Sequence, residues 1–464
     1  MPALINRLTI LFLILLMNSA KIASASQTST PIAHVIIIVQ ENHSFDNVFG
    51  TYPTANETIK DNITTQLEPV NGLPSGVCLP YTNGCVSPYY ANTSNTDNPV
   101  EGQTVYENDW NHGRMDGFAS NSGRQSLAYF DYHQLAAYWN YAEEYGLADN
   151  YFAGALTTTT PNRLIMLAGD TSVSNNYGPP PYVPFNETVL NQLSNQGISW
   201  GYFDFVAAFG PGNITYPINY FAGTPPDALG RVQNVSVFLQ DLQTGQNLPS
   251  VSFVNSLGAD EFDEHPPFNV TQGELWTVSI LNAVMRSSYW NTTAIFLTYD
   301  EGGGYFDHVP PPQLLSIDHD FARPLRGYGQ RVPLLVISPY SKENYVSHAL
   351  LNHMSLLRFI DYNWNLPTLN PNVANSTNPI DFFYFNGPPR KPILLEQNSA
   401  FNPHSYPIPL QIPLANLPYS RNGTITPIRN QPSSQFDPTD LAVGIVAFYA
   451  FAVLWRNHEH KKKR

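Results

Sequence analysis

Charged residues are scarce in this chain of 464 amino acids. They make up 12% of the sequence, about half of the roughly 25% that is usual in soluble domains. Acidic residues outnumber basic ones by 36 to 22, which gives a formal net charge of −14. Nucleic-acid binding requires a basic surface, and no basic run interrupts the interior of the chain, so we exclude a nucleic-acid partner. The hydrophobic content of 42% nevertheless predicts a sizeable folded core.

Cysteine is nearly absent as well. Cys78 and Cys85 enclose a short loop, so they are expected to form a disulfide in an oxidising compartment and to be free thiols otherwise. Asn-x-Ser/Thr sequons, in contrast, are dense enough to indicate a glycosylated surface outside the cytosol. They begin at Asn42, Asn56, Asn62, Asn92, Asn186, Asn213, Asn234, Asn269, Asn291, Asn375 and Asn422.

Long hydrophobic runs are missing, although shorter ones lie near both ends. Residues 1–25 carry a basic residue, an apolar run and small residues before a cleavage point, which is typical of a signal peptide. Residues 441–455 are apolar and precede a basic tail at 456–464. As a helix this segment would rise about 22 Å, less than the roughly 30 Å hydrocarbon core. We expect a single-pass anchor after a polar stalk at 431–440, with an interfacial helix as the alternative. The chain would then lie on the extracellular face of the cell membrane, or be secreted.

Between these ends, strand-like segments alternate with helical ones. Apolar β-branched runs predict buried strands at 34–40, 293–299 and 332–338, with a shorter candidate at 198–205. Helical periodicity is present at 134–145, 187–196, 273–286 and 348–360. This alternation predicts an α/β fold in which helices cover both faces of a mainly parallel central sheet. The domain would extend over 26–430, with 51–108 as an insert or cap rich in Asn, Thr, Pro and Gly.

Polar residues follow two of the predicted strands. Glu41 and Asn42 come after 34–40, and Asp300 and Glu301 come after 293–299. Ligands bind at the carboxyl ends of strands in open α/β sheets, and these oxygens suit a hard cation. Helix capping and a turn would explain the first pair equally well. The second pair has no basic partner nearby in sequence, so burial without a metal would be costly.

A cluster of threonines at 157–160 precedes a third apolar stretch, which looks helical. A hydroxyl group at a helix N-terminus faces backbone N–H groups and forms a ready site for phosphate. Bound to a metal, the same hydroxyl would be a nucleophile. A helix cap followed by proline is common and would explain this segment alone.

Taken together, the chain resembles the phosphoesterase family that includes bacterial phospholipases C and acid phosphatases, within the alkaline-phosphatase-like superfamily. The matching segments are 41–50, 111–118, 157–164, 263–267, 299–312, 327–341 and 353–361. The resemblance implies an alkaline-phosphatase-like fold, with Glu41, Asn42, Asp300 and Glu301 as metal ligands. It also implies that Thr159 is the nucleophile and forms a phosphothreonine intermediate.

The remaining roles are also carried over from the family. His265 would act as acid, base or oxyanion donor. Asp307 and His308 would contact the phosphate or support the residues that do, and Asn162 is assigned to the substrate. Asn162 and Arg163 are also expected to hold the turn. The family's usual Asp-x-x-His element is compressed here to 109–116, which makes His112 an alternative catalytic histidine. His353 is either a buried hydrogen-bonded residue or a catalytic one.

These observations lead us to expect an exported hydrolase of phosphate esters that uses a divalent metal ion. The oxygen ligands favour Mg, Ca or Mn and leave Zn open. The expected substrate is a phospholipid or a small phosphate ester, and the expected partner is a membrane. The first alternative is an acid phosphatase acting on soluble monoesters, because an uncharged polar surface suits an acidic environment. The second is a non-catalytic surface glycoprotein.

Overall fold

The computed structural model describes residues 28–52, 69–176, 183–204, 217–256, 262–312 and 327–395. The predicted signal peptide at 1–25 lies outside these residues. The strands are β1 (His34–Gln40), β2 (Leu79–Tyr81), β3 (Gly84–Val86), β4 (Tyr89–Tyr90), β5 (Ala128–Tyr129), β6 (Gly146–Ala148), β7 (Tyr151–Phe152), β8 (Val183–Pro184), β9 (Trp200–Asp204), β10 (Phe221–Ala222), β11 (Val232–Asn234), β12 (Val251–Asn255), β13 (Thr293–Tyr299), β14 (Leu334–Ile337), β15 (Tyr345–Ser347) and β16 (Leu351–Asn352). The helices are α1 (Phe45–Phe49), α2 (Gln103–Trp110), α3 (Phe118–Asn121), α4 (Ala136–Glu144), α5 (Thr159–Ala168), α6 (Val189–Asn195), α7 (Pro226–Leu229), α8 (Val235–Thr244), α9 (Val270–Arg286), α10 (His353–Asn363) and α11 (Pro371–Asn375).

A central sheet of eight strands organises the domain, in the order β11-β9-β12-β1-β13-β14-β6-β15. Neighbouring strands are parallel except at β14, which runs antiparallel to both β13 and β6. Every residue of β12, β13 and β14 is buried. Because successive side chains of a strand point to opposite faces, both faces of this sheet are covered. The predicted α/β class with a mainly parallel central sheet is confirmed.

The predicted elements fall on observed ones with shifted ends. The runs at 34–40 and 293–299 coincide with β1 and β13, the run at 332–338 contains β14, and the shorter candidate at 198–205 contains β9. The four periodic segments correspond to α4, α6, α9 and α10. Helix α9 begins three residues before its predicted start, since the side chain of Asn269 accepts hydrogen bonds from the backbone N–H groups of Thr271 and Gln272.

The insert folds against the loop that follows β13. Cys78 and Cys85 are joined by a disulfide that closes the β2–β3 hairpin. A small hydrophobic cluster then links this region to the sheet, because Leu79 of the insert and Phe306 of the loop pack in the same cluster as Phe118. Residues of the insert are thereby held close to the end of β13, although residues 53–68 lie outside the described part of the chain.

The predicted membrane location has to be corrected. Among the residues that the structure describes, no helix combines the length and the hydropathy needed to cross a membrane. The predicted segment 441–455, its stalk at 431–440 and the basic tail at 456–464 lie outside those residues. The C-terminal anchor is therefore unsupported, and we withdraw it.

Candidate active site

Three neighbouring parallel strands end together and bring their last residues to one edge of the sheet. In the register of β1 and β13, Gln40 lies beside Tyr299, and in that of β1 and β12, Val39 lies beside Asn255. Glu41 directly follows β1 and Asp300 directly follows β13, so both residues leave the sheet at the same level. The backbone N–H of Asp300 donates to the carbonyl of Gln40 at 3.1 Å, which ties the two strand ends together.

Arg163 connects these strand ends to helix α5. Its guanidinium group donates to Glu41 Oε1 at 3.1 Å, to Asp300 Oδ2 at 3.1 Å and to Asn255 Oδ1 at 2.8 Å. The side chain of Arg163 is only 2% exposed, and those of Glu41 and Asp300 are similarly buried. The acids therefore do have a basic partner, which comes from a segment far away in the sequence.

Thr159 lies on the same helix, four residues before Arg163. Side chains four residues apart lie on one face of a helix, and each points toward the N-terminal turn. Thr159 is the first residue of α5, so its hydroxyl lies at the helix N-terminus, on the helix face that carries Arg163. That hydroxyl makes no hydrogen bond to any described residue. The arrangement suits a nucleophile beside an anion-binding helix end.

Asn162 holds the turn that leads into α5. Its Oδ1 accepts from the N–H of Ala155 at 2.8 Å, and its Nδ2 donates to the carbonyls of Ala155, Thr157 and Thr158. The side chain is fully buried and its hydrogen-bonding capacity is used by the backbone. Its assignment to substrate binding stays a prediction, while this geometry supports the positioning role.

Asn42 and Glu301 flank this group from the two loops. The Nδ2 of Asn42 donates to Glu101 Oε1 at 2.9 Å, whereas its Oδ1 is buried without a hydrogen-bond partner among the described residues. Glu301 accepts from the Tyr106 hydroxyl at 3.1 Å and from the N–H of Gly303 at 2.7 Å. Gly303 has a φ of +61°, and a Cβ there would lie 2.5 Å from the carbonyl oxygen of Asn42. Glycine is therefore required where the two loops approach each other.

The electrostatics of the site call for another cation. Burial raises the pKa of Glu41 well above its usual value, and nearby Asp300 raises it further, while Arg163 acts in the opposite direction. Burial and then the Glu101 carboxylate likewise raise the pKa of Glu301 well above its usual value. A single guanidinium group cannot compensate this many carboxylates. The unpartnered Asn42 Oδ1 and the carboxylate oxygens together match the donor set of a hard divalent cation.

His265 is the predicted histidine that lies beside this cluster. Its Nδ1 is 2.6 Å from the carbonyl of Pro266, so Nδ1 carries a proton and donates there. Its Nε2 is 3.6 Å from Glu101 Oε1, and the side chain is 27% exposed. This nitrogen is thus free to exchange a proton with a bound molecule.

The other two histidines are placed differently. His112 lies just beyond α2, with its ring 5.7 Å from that of Trp110, and no described hydrogen bond links it to the acids. Its catalytic role stays a prediction. His353 is fully buried, its Nδ1 accepts from the N–H of Gly154, and its Nε2 donates to the carbonyl of Tyr299. Burial lowers the pKa of His353 to about 3, so it is the neutral, hydrogen-bonded alternative.

Asp307 and His308 belong to a second cluster. Asp307 and Asp46 both pair with the buried guanidinium of Arg331, and His308 Nδ1 lies 2.7 Å from Asp46 Oδ2. The two acids and the histidine offer ligand atoms within 4.8 Å of one another. Arg331 already supplies the positive charge there, so the cluster is held together without a metal. Substrate contacts for Asp307 and His308 stay a prediction.

Sequence reasoning missed two residues of the site. Arg163 was expected only to hold the turn, although its position one helical turn after Thr159 would have placed it on the same face. Glu101 is an isolated acid in the insert and belongs to no motif, so nothing in the sequence pointed to it.

Comparison with known proteins agrees with the geometry. A family model described as the phosphoesterase family matches residues 32–367. The non-hemolytic phospholipase C of Pseudomonas aeruginosa is 25% identical over 437 residues, which covers 82% of this chain and 58% of that protein. Phospholipase C B of Mycobacterium tuberculosis is 27% identical over 391 residues and is covered to 75%, with 74% of this chain. The chain thus spans little more than half the length of the Pseudomonas relative.

A solved structure described as a protein in the alkaline phosphatase superfamily from Vibrio parahaemolyticus matches with a TM-score of 0.36 and 11% identity. The match covers 54% of this chain and 66% of that one, and a likeness of this size carries no argument. The family match includes both strand-end pairs and the Thr159 helix, and it supports a hydrolase acting on phosphate ester bonds. The chain belongs to the phosphoesterase family.

Proposed function

We propose that this chain is an exported, metal-dependent phosphoesterase that hydrolyses phospholipids through a phosphothreonine intermediate. The observation that carries the proposal is the position of Thr159 on the helix whose Arg163 contacts both Glu41 and Asp300. This arrangement supports a shared site formed by the Thr159 hydroxyl, the Arg163 guanidinium group and the two acids at the carboxyl ends of β1 and β13. The relatives named phospholipase C support phospholipid as the substrate class.

Glu41, Asn42, Asp300 and Glu301 would hold the metal ion. Their oxygens suit Mg, Ca or Mn, and Zn is also compatible with them. When bound, such an ion supplies positive charge against the phosphoryl oxygens and lowers the pKa of the Thr159 hydroxyl. At the start of α5 the backbone N–H of Thr159 would add to this stabilisation, since the N–H of Thr160 donates to Asn176 Oδ1 and Pro161 has no N–H.

The reaction proceeds by two displacements at phosphorus. The Thr159 hydroxyl loses its proton to water, and its Oγ1 forms a bond to phosphorus as the ester bond to the alcohol breaks. His265 donates the Nε2 proton to the departing oxygen, so the alcohol leaves neutral. Water then attacks phosphorus and gives a proton to His265 as the bond between phosphorus and Thr159 Oγ1 breaks. Oγ1 takes up from solvent the proton that it lost in the first step, so phosphate or a phosphomonoester is released and Thr159 is restored.

The disulfide and the surface sequons support export. The disulfide between Cys78 and Cys85 is stable in an oxidising compartment. Among the described residues, the exposed sequon asparagines are Asn92, Asn186, Asn291 and Asn375. Asn42, by contrast, is fully buried in the site and inaccessible to a glycan.

Substitution of Thr159 tests the intermediate. We expect T159A to fold and to lose at least about 100-fold in kcat, because the covalent route is closed. T159S should keep part of the activity, since it retains a hydroxyl group. T158A is the matched control: it loses a neighbouring hydroxyl that accepts from the N–H of Asn176 and should remain active.

Mass spectrometry of acid-quenched enzyme should find phosphate on Thr159 during turnover. Wild-type activity in T159A would show that the nucleophile is another group. Phosphatidylcholine and 4-nitrophenyl phosphate, each with added Mn²⁺ and with EDTA, separate lipid hydrolysis from a phosphatase acting on soluble monoesters. Hydrolysis of neither substrate, or full activity in EDTA, would refute the proposed function.

A further inference from the structure

Glu101 lies between two groups of the proposed site, although it comes from the insert. Its Oε1 accepts from Asn42 Nδ2 at 2.9 Å and lies 3.6 Å from His265 Nε2. Its side chain is 19% exposed, so the carboxylate is mostly shielded from water. A single carboxylate therefore contacts one candidate metal ligand and the candidate general acid at the same time.

The contact with Asn42 decides which end of the carboxamide faces the metal site. A carboxamide has a donor end and an acceptor end, and only the oxygen can bind a cation. Because Glu101 takes the Nδ2 end, the Oδ1 end is turned the other way, where it is buried without a described partner. Rotation of the carboxamide by half a turn would bring Oδ1 against the Glu101 carboxylate, which is repulsive.

The contact with His265 fixes the other ring nitrogen. Nδ1 donates to the carbonyl of Pro266, and Nε2 faces the Glu101 carboxylate. The Glu101 carboxylate thus lies beside the ring nitrogen from which the leaving oxygen would take its proton.

The backbone on both sides of Glu101 is anchored. The N–H of Val100 donates to the carbonyl of Ser122 at 2.9 Å, and the carbonyl of Gly102 accepts from the N–H of Tyr106 at 2.9 Å. Glu101 is thus supported by a fixed loop rather than by a free surface segment, as an orienting residue requires.

We propose that Glu101 is a positioning residue that turns Asn42 Oδ1 toward the metal site and holds the His265 ring with Nε2 beside the acid cluster. The described part of the insert, residues 69–108, then contributes to the active site. This inference rests on the proposed function for the role of His265, whereas the role toward Asn42 can be measured without turnover.

Binding of Mn²⁺ measured by calorimetry tests the Asn42 contact on metal-stripped protein. E101A should bind about 10- to 100-fold more weakly than wild type, as is usual when a residue that orients a ligand is lost. E101Q should bind close to wild type, because its Oε1 still accepts from Asn42. E107Q, an exposed acid on the adjoining helix α2, is the matched control and should equal wild type.

Aryl phosphate esters of rising leaving-group pKa test the His265 contact. E101Q should lose on the order of 10-fold in kcat for the poorest leaving group and little for 4-nitrophenyl phosphate, which needs no acid. A structural role alone would lower both rates equally. H265Q should show the same dependence on the leaving group, only more strongly.

Three outcomes would overturn the inference. Metal affinity in E101A equal to that in E107Q would remove the role toward Asn42, and loss of metal in E101Q as complete as in E301Q would make Glu101 a ligand instead. Equal losses of E101Q for all leaving groups would remove the role toward His265. Absence of turnover in the wild type would refute the proposed function, while the calorimetric comparison would still decide the role toward Asn42.

Discussion

Replacement of Arg163 by methionine would remove the guanidinium group between Glu41 and Asp300 while keeping an unbranched side chain. Arg163 donates to both carboxylates and to Asn255, and it is almost completely buried. The two acids would then lie side by side with no described cation between them. Neither could recover water, because both are buried as well.

The expected loss follows from this burial. Breaking a buried ion pair by removing one partner costs about 3–5 kcal/mol, since the other charge stays in a poorly solvated place. An exposed pair contributes only about 0–1 kcal/mol. Arg114 and Asp116 form such a pair, with side chains 60% and 34% exposed. We therefore expect R163M to lower the free energy of unfolding by about 3–5 kcal/mol and R114M to lower it by less than about 1 kcal/mol.

Urea titration of the metal-stripped proteins measures both values. The double variant R163M/E41Q adds a second test, because neutralising one of the stranded acids should recover part of the loss, and the two changes should not be additive. Added Mn²⁺ should stabilise R163M more than wild type, since the variant has one more uncompensated negative charge. A loss in R163M no larger than in R114M, or strict additivity in the double variant, would refute the ion-pair reasoning.

Three further predictions concern other parts of the molecule. Burial raises the pKa of Glu264 from 4.5 to about 8. The protonated side chain therefore stabilises the fold fully below about pH 4.5, and this stabilisation is lost as the pH rises through about 8. Denaturant titration should show a loss of up to about 5 kcal/mol between about pH 5 and pH 9 in wild type and a smaller one in E264Q. The C78S/C85S variant opens the loop closed by these two residues and should lower the free energy of unfolding by about 2.5 kcal/mol in the same assay. An unchanged free energy would mean that the disulfide does not restrict the unfolded chain. Mass spectrometry of protein from a secretory host should find glycans on exposed sequons such as Asn92 and none on buried Asn42; a glycan on Asn42 would exclude it as a metal ligand.

The parts that local sequence determines were predictable. The runs that become β1 and β13 carry apolar residues on both faces, at 35–39 and 294–297, which marks strands buried on both faces. The polar residues just after them could therefore be placed at one sheet edge before the register was known. The direction of β14 could not be predicted, because an antiparallel strand in a covered sheet has the same apolar pattern as a parallel one.

The contacts that cross long stretches of sequence were not predictable. Arg163 is separated from Glu41 by 122 positions and from Asp300 by 137, and only the folded sheet shows that they meet. Glu101 belongs to no sequence motif that includes Asn42 or His265. It contacts them only because the folded insert brings it beside them. Sequence patterns thus predicted which residues would bind the proposed metal, and the structure added Arg163 and Glu101, which contact them.

The buried ion pairs of Arg331 with Asp46 and Asp307 affect the order in which parts of the protein fold. The Arg331 guanidinium group bonds to Asp46, Asp307 and the carbonyls of Asn71 and Asp149, and the contact with Asp46 spans 285 positions of the chain. Four distant segments must therefore be in place before the charge is fully paired, and contacts between such distant residues form slowly. The cluster would then form after the folding transition state, so loss of one of its carboxylates should speed unfolding and leave the folding rate nearly unchanged. The buried Arg331 is therefore expected to slow unfolding and so to lengthen the lifetime of the native state.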